Sequence, residues 1–276
     1  MAILKNKLIA TDLNTGCPNT WCPGCGNFGI EIAVKKAFTE LINEDKVKRE
    51  NLVISVDIGC NGKIADYLNI NSFYSLHGRS IAPATGIKIA RPELTVTVLA
   101  GDGGIYGEGL EHLIFAAKRN INITVLVHDN RVYGLTAGQA SPTSPQDFKG
   151  NSTPDGSFDK PIHPLELMLV SGATFIARAF SGDAEYLREI IKKAITHKGF
   201  SFIEVLQPCF TFFNTYEYYQ KSVYHLEDNR DLSNKLMARE KIQEWDYSNI
   251  VPAKIPLGIF YQSEEPTFDE SLEIKK

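Results

Sequence analysis

Apolar positions at Ile30, Ala33, Val34, Ala37, Phe38 and Leu41 recur with the 3.6-residue period, which predicts an amphipathic helix directly after the turn CPGCG. Further along, short β-branched runs (LVISVDIG, LTVTVLAG, NITVLVHD, TFIARAF and SFIEVLQ) alternate with helical patterns near residues 81–91, 107–119 and 183–197. Strands alternating with helices in this way predict βαβ units, and so an α/β fold whose doubly wound parallel sheet is covered on both faces.

That architecture places ligands beyond the carboxyl ends of the strands. Cys60, Asp102, Asn130 and Cys209 each follow a strand-like run, so they should gather on one edge. Residues 136 to 164, rich in Pro, Gly, Ser and Thr, read as a long loop of the functional kind. After residue 209 the βαβ rhythm stops and aromatics crowd together, among them Phe210, Phe212, Phe213, Tyr216, Tyr218, Tyr219 and Tyr224. We therefore divide the chain into an α/β domain, residues 1–209, and an irregular C-terminal arm, residues 210–276, lying over the domain or a partner subunit.

Composition narrows the function classes. In a chain of 276 residues with 43% apolar content, a buried core is readily built. A net charge of −4, from 29 basic and 33 acidic residues, offers no basic field for nucleic acid and no cationic block for a membrane surface. The apolar runs Leu52 to Val56 and Val96 to Ala100 are too short to span a bilayer, and MAILKNKLIA lacks the apolar stretch of a secretory signal. The expected location is the cytoplasm, where thiols stay reduced. Five cysteines are too few, and odd in number, for a disulfide scaffold.

Two sets of residues carry candidate chemistry. In VLAGDGGIYGEG a strand runs into glycines that let the backbone approach an anion, and a helix start follows. Asp102 there is either a simple N-cap or a hard ligand for Mg²⁺, and Asn130, at the end of the next strand, can join it on the metal. His77 and Arg79, in SLHGRS, suit a contact with phosphate or substrate, against a plain loop histidine. The second set is Cys22 and Cys25, in CPGCG, with Cys60 in IGCNGK and Cys209 in QPCF. A CxxC pair alone fits a redox dithiol, half a zinc site or half an iron–sulfur site. Convergence with two single cysteines from distant strand ends favours an electron carrier over a structural zinc. Cys17 reads as a bystander.

The spacing of Gly101-Asp102-Gly103 and Asn130 resembles the thiamine diphosphate motif, which implies Mg²⁺ held by Asp102, Asn130 and the main-chain carbonyl of Val132. With TWCPGCGNFGI, DIGCNGK, FYSLHGR, HDNRVYGLTAGQASPT and EVLQPCFTFFN added, the chain resembles the β subunit of the 2-oxoacid:ferredoxin oxidoreductases, the pyruvate and 2-oxoglutarate synthases, over roughly residues 15 to 220. The resemblance implies a sheet of the thiamine diphosphate-binding type, and thiamine diphosphate, Mg²⁺ and one [4Fe–4S] cluster as cofactors. It assigns Cys22, Cys25, Cys60 and Cys209 to the cluster and places Gly134, Leu135 and Thr136 near the diphosphate. Lys63 would lie near the substrate or coenzyme A, unless it is only a solvated lysine; Lys63 and His77 are the candidate catalytic residues. It further implies CoA-dependent oxidative decarboxylation of a 2-oxoacid to acyl-CoA and CO₂, with electrons passed to ferredoxin. An α, or fused αγ, subunit would supply the pyrimidine-binding half of the active site. The substrate expectation is 2-oxoglutarate or pyruvate, leaning to the former. A non-redox thiamine enzyme and a non-catalytic module with a Cys₄ zinc are the alternatives.

Overall fold

The computed structural model describes residues 7–227, 229–248, 250, 251 and 253–273. Residues 1–6, on which the expectation about a leader partly rests, lie outside the described residues. In chain order the elements are α1 (Asn27–Asn43), β1 (Leu52–Val56), α2 (Ile64–Tyr67), β2 (Asn71–Tyr74), α3 (Ile81–Ala90), β3 (Thr95–Gly101), a π-wound turn (Gly103–Glu108), α4 (Leu110–Lys118) and β4 (Thr124–Asp129). There follow β5 (Val132–Tyr133), β6 (Gln139–Ala140), α5 (Pro164–Ser171), β7 (Phe175–Phe180), α6 (Ala184–Thr196), β8 (Ser201–Leu206), α7 (Tyr216–Ser222), β9 (Val223–His225), α8 (Lys235–Ile242), β10 (Ile255–Gln262) and α9 (Phe268–Glu273).

Eight strands form one sheet in the order β2-β1-β3-β4-β8-β7-β10-β9. Every pairing is parallel except that of β10 with β7. Alternation along the central strands divides their side chains between two cores. Val98 and Ala100 of β3 and Val125 and Val127 of β4 face the core that includes residues of α3, α4, α5 and α8. Leu99 and Leu126 face the opposite core, filled by Ile30, Val34, Ala37 and Phe38 of α1 with Leu187, Ile190 and Ile191 of α6. The sheet is therefore doubly wound, as the periodicity predicts. Local signals agree with it: Asp183 caps α6 by accepting from Tyr186 N at 3.1 Å, and Pro164 opens α5.

Residues 210–276 are less of an arm than the sequence suggests. The sheet runs straight across the expected boundary, because β10 pairs with β7 and carries β9 beyond it. A third cluster, with Tyr219, Trp245, Tyr247, Ile255 and Leu257, packs on Phe180 of β7 and Leu206 of β8. This small core clamps the C-terminal segment to the strand ends; of the crowded aromatics Tyr218 and Tyr219 join it, whereas Phe210, Phe212 and Tyr216 are exposed. Among the described residues no helix is long and apolar enough to cross a membrane.

Candidate functional site

Strands β1, β3, β4 and β8 are consecutive and parallel in the sheet, so the residues that follow them share one edge. The first three bring an aspartate there: Asp57 just after β1, Asp102 just after β3 and Asp129 as the last residue of β4. All three are essentially inaccessible to solvent. Sequence reasoning named only Asp102. The signal for the others was present, since VD, GD and HD each close a β-branched run.

Asp102 stands at the start of the π turn and is positioned by the long loop. Thr143 Oγ1 lies 3.0 Å from its Oδ2 and 2.7 Å from Asp129 Oδ1. Burial pushes the Asp102 carboxyl up to about 6, while hydrogen bonds from Ser141 and Thr143 pull it back. Asp129 is held well above the usual carboxylate range by burial and then by the Asp102 and Glu204 charges. Asp57 accepts from Asn61 Nδ2 at 2.5 Å and from the Gly101 N–H at 3.4 Å, and burial pushes it up to about 7. Its Oδ2 and that of Asp129 have no partner. Three buried carboxyls with raised pKa values form an environment that a cation would stabilise in its ionised form. Side-chain bulk is excluded here: a methyl at Gly104 would lie 2.0 Å from Asp57 Oδ2, so glycine is required for the turn to close on β1.

Asn130 is buried, and its Oδ1 accepts from Val132 N at 3.0 Å, fixing the start of the β5–β6 hairpin. Arg131 between them adopts a φ of 62°, is fully buried, and donates to the carbonyls of Thr143, at 2.6 Å, and Tyr247. The C-terminal cluster is thereby tied to the loop that holds Asp102. Thr136 donates to Gln139 Oε1 at 2.6 Å, and Leu135 is exposed beside the cysteines.

Cys22, Cys25, Cys60 and Cys209 together line a cavity of about 220 Å³, with Trp21, Lys63, Asn130, Gly134, Leu135 and Gln207 among its other walls. Main-chain contacts assemble it. Trp21 Nε1 donates to the Cys60 carbonyl at 2.6 Å, Cys25 N to the Cys22 carbonyl at 3.0 Å, and Gly26 N to the Pro208 carbonyl at 3.2 Å. Burial, followed by the other three sulfurs, pushes the Cys25 thiol up to about 11; Cys60 is raised by burial and by Cys209. Four sulfurs lining one cavity are the soft donor set of a metal or iron–sulfur site. The sulfurs surround a space instead of meeting at a point: among the described residues, no three His, Cys, Asp or Glu side chains close on a single ion. Cys17 lines a different groove, beside Glu31 and Lys35, away from this cavity.

The two sets of residues are contiguous. A methyl at Gly134 would sit 3.4 Å from Asn130 Nδ2, 3.7 Å from Cys209 Sγ and 3.8 Å from Cys60 Sγ. Lys63 Nζ donates to Thr20 Oγ1 at 3.0 Å on the cavity wall. His77 and Arg79 stand elsewhere, at the far end of the π turn. His77 Nδ1 is 3.8 Å from Glu108 Oε1, and Arg79 donates to the Glu108 carbonyl at 2.5 Å.

This fold, with its glycine turn and aspartate at the carboxyl edge, defines a thiamine diphosphate-binding enzyme domain. Residues 57–205 match the family described as thiamine pyrophosphate enzyme, C-terminal TPP binding domain, and residues 208–276 match the C-terminal family of the pyruvate ferredoxin oxidoreductase beta subunit. The 2-oxoacid:ferredoxin oxidoreductase 1, subunit beta, of Aeropyrum pernix is 43% identical over 266 residues, which cover 91% of this chain and 80% of that protein. The 2-oxoglutarate synthase subunit KorB of Methanocaldococcus jannaschii is 36% identical over 92% of each chain. A solved structure of the 2-oxoglutarate:ferredoxin oxidoreductase from Magnetococcus marinus, with 2-oxoglutarate, coenzyme A and succinyl-CoA bound, superposes with a TM-score of 0.91. It is 34% identical, and the match covers 98% of this chain and 90% of that one. The chain belongs to the β subunits of the 2-oxoacid:ferredoxin oxidoreductases.

Proposed function

We propose that this β subunit, when joined to an α or fused αγ subunit, performs CoA-dependent oxidative decarboxylation of a 2-oxoacid, with electrons leaving through a [4Fe–4S] cluster to ferredoxin. The observation that carries the proposal is the contiguity of the two sites: Gly134 stands between Asn130, on the thiamine side, and the sulfurs of Cys60 and Cys209. An electron acceptor held by those cysteines would lie within one residue of the carbon chemistry.

Asp102, the Asn130 side-chain carbonyl and the Val132 main-chain carbonyl would hold Mg²⁺, a hard cation that takes oxygen ligands. Gly101 and Gly103 would let the backbone approach the diphosphate, and Gly134, Leu135 and Thr136 would help to hold it. When bound, thiamine diphosphate supplies the stabilised carbanion that decarboxylation of a 2-oxoacid needs. Thr143 orients Asp102, Arg131 pins the loop bearing Thr143, and the buried edge excludes water. Cys22, Cys25, Cys60 and Cys209 would hold the cluster. Four soft donors spread round a cavity suit a polynuclear group better than a single tetrahedral zinc, whose four ligands must close to about 2.3 Å. Lys63, on the cavity wall, would meet substrate or coenzyme A, and His77, at the end of the π turn, would meet the diphosphate or substrate.

The substrate we assign is 2-oxoglutarate ahead of pyruvate, supported by the 2-oxoglutarate enzymes among the relatives. The acting location would be the cytoplasm, without nucleic acid or membrane as partners. The test is turnover of 2-oxoglutarate against pyruvate by the reconstituted complex, with coenzyme A and ferredoxin. Acyl-CoA formation that depends on an electron acceptor is expected. Decarboxylation that proceeds equally well without one would overturn the redox assignment in favour of a non-redox thiamine enzyme.

A further inference from the structure

Gln207 directly follows β8 and is almost completely buried. Its main-chain N–H donates to the Asp129 carbonyl at 2.9 Å, which extends the β4–β8 ladder by one step and fixes the backbone. Its side-chain Nε2 donates to the Pro208 carbonyl at 3.0 Å and to Cys25 Sγ at 3.6 Å. The carbonyl contact settles which end of the amide faces the sulfur, because only the nitrogen can serve a carbonyl acceptor. The opposite atom, Oε1, is buried without a partner. A long polar side chain is thus held in a desolvated place with half of its hydrogen-bonding capacity unused, and the half that is used points at one of the four cysteines.

We propose that Gln207 is a positioning residue that sets the electron affinity of a cluster held by Cys22, Cys25, Cys60 and Cys209, by donating an N–H to the Cys25 sulfur. The inference rests on the cluster reading above and adds to it a determinant of the reaction's redox step. An electron added to an iron–sulfur cluster increases the negative charge on its thiolate sulfurs. An N–H aimed at one of them stabilises the reduced form and raises the reduction potential. Burial of Gln207 strengthens the effect, since its amide is shielded from water and the local dielectric is low. The unpartnered Oε1 is the counterpart of that orientation: turning the amide over would set an acceptor against the sulfur and abandon the Pro208 carbonyl.

The test is an EPR-monitored redox titration of the complex with its α subunit, purified without oxygen, for the native protein, Gln207→Met and Gln207→Leu. Both substitutions keep the bulk and remove the donor. Iron and sulfide are measured first on each sample. The expected result is retained iron with a roughly tenfold lower reduced-to-oxidised ratio at a fixed potential, a midpoint about 59 mV more negative for this one-electron couple. A variant that keeps its iron and its native midpoint would overturn the proposal. So would loss of iron from both variants, which would give Gln207 a role in assembly alone. Native complex without iron and sulfide would instead sink the cluster reading, and would do so before any variant is compared.

Discussion

Thr143 Oγ1 sits 3.0 Å from Asp102 Oδ2 and 2.7 Å from Asp129 Oδ1, so a single hydroxyl from the long loop bridges two buried carboxylates on adjacent strands. It links the loop to the carboxyl edge of the sheet. Thr143→Val is expected to weaken Mg²⁺-dependent thiamine diphosphate binding by roughly tenfold, the loss of one hydrogen bond to a charged group. Thr143→Ser should restore it. Calorimetric titration of the complex checks this, and an unchanged affinity in the valine variant would show that Asp102 needs no support from the loop.

Arg178 Nε donates to Glu204 Oε2 at 2.6 Å, and both side chains are fully buried; Tyr247 donates to the same carboxylate at 2.7 Å. Arg178→Leu would strand the Glu204 charge and lower stability by about 3–5 kcal/mol. The double variant Arg178→Leu, Glu204→Leu is expected to regain at least half of that loss, as read by denaturant unfolding. Equal instability of the single and double variants would place the loss in packing rather than in charge.

A pH effect follows from Asp57. Burial raises its carboxyl from 3.8 to about 7, so the folded protein favours the protonated form. Its contribution is complete below about pH 4 and is lost as pH rises towards 7, with a limiting slope near 1.4 kcal/mol per pH unit. Asp57→Asn keeps an uncharged side chain of the same shape. The variant should therefore gain stability over the native protein as pH rises from 4 to 7 and hold that gain above 7, with metal removed by chelator in both. A stability difference that stays constant over that range would contradict the burial argument.

How much of this was legible in the sequence depends on whether neighbours along the chain or across the fold decide a residue's place. The parallel core was legible, because LTVTVLAG and NITVLVHD need only their own periodicity to be read as buried strands. β10 was not: IPLGIFYQ carries Pro256 and Gly258, which argue against a strand, and it forms by pairing with β7 across a register irregularity near Phe260. β2 was missed because NSFY is short and exposed at the sheet edge. Glycine turns and cysteine spacing revealed Asp102 and the four thiols. No local pattern marks Thr143, Asn61 or Gln207, whose positions come from a loop, a turn and a strand end folding against residues remote in sequence.

Cys17 and Cys60 are proposed as bystander and ligand respectively. Cys17→Ser is expected to leave iron content and ferredoxin reduction at native levels, since Cys17 lines another groove. Cys60→Ser should lose most of both. Iron and electron-transfer assays of the two variants check this, and full electron transfer in Cys60→Ser would exclude Cys60 as a necessary ligand.

The central claim is that one edge of the sheet serves both thiamine diphosphate and a four-cysteine cluster. It is tested most directly by iron, acid-labile sulfide and zinc analysis of the β subunit purified together with its α subunit, without oxygen. The account predicts about four iron and four sulfide per β subunit, with no zinc, as expected of a [4Fe–4S] centre. Zinc at about one per chain, without sulfide, would contradict it.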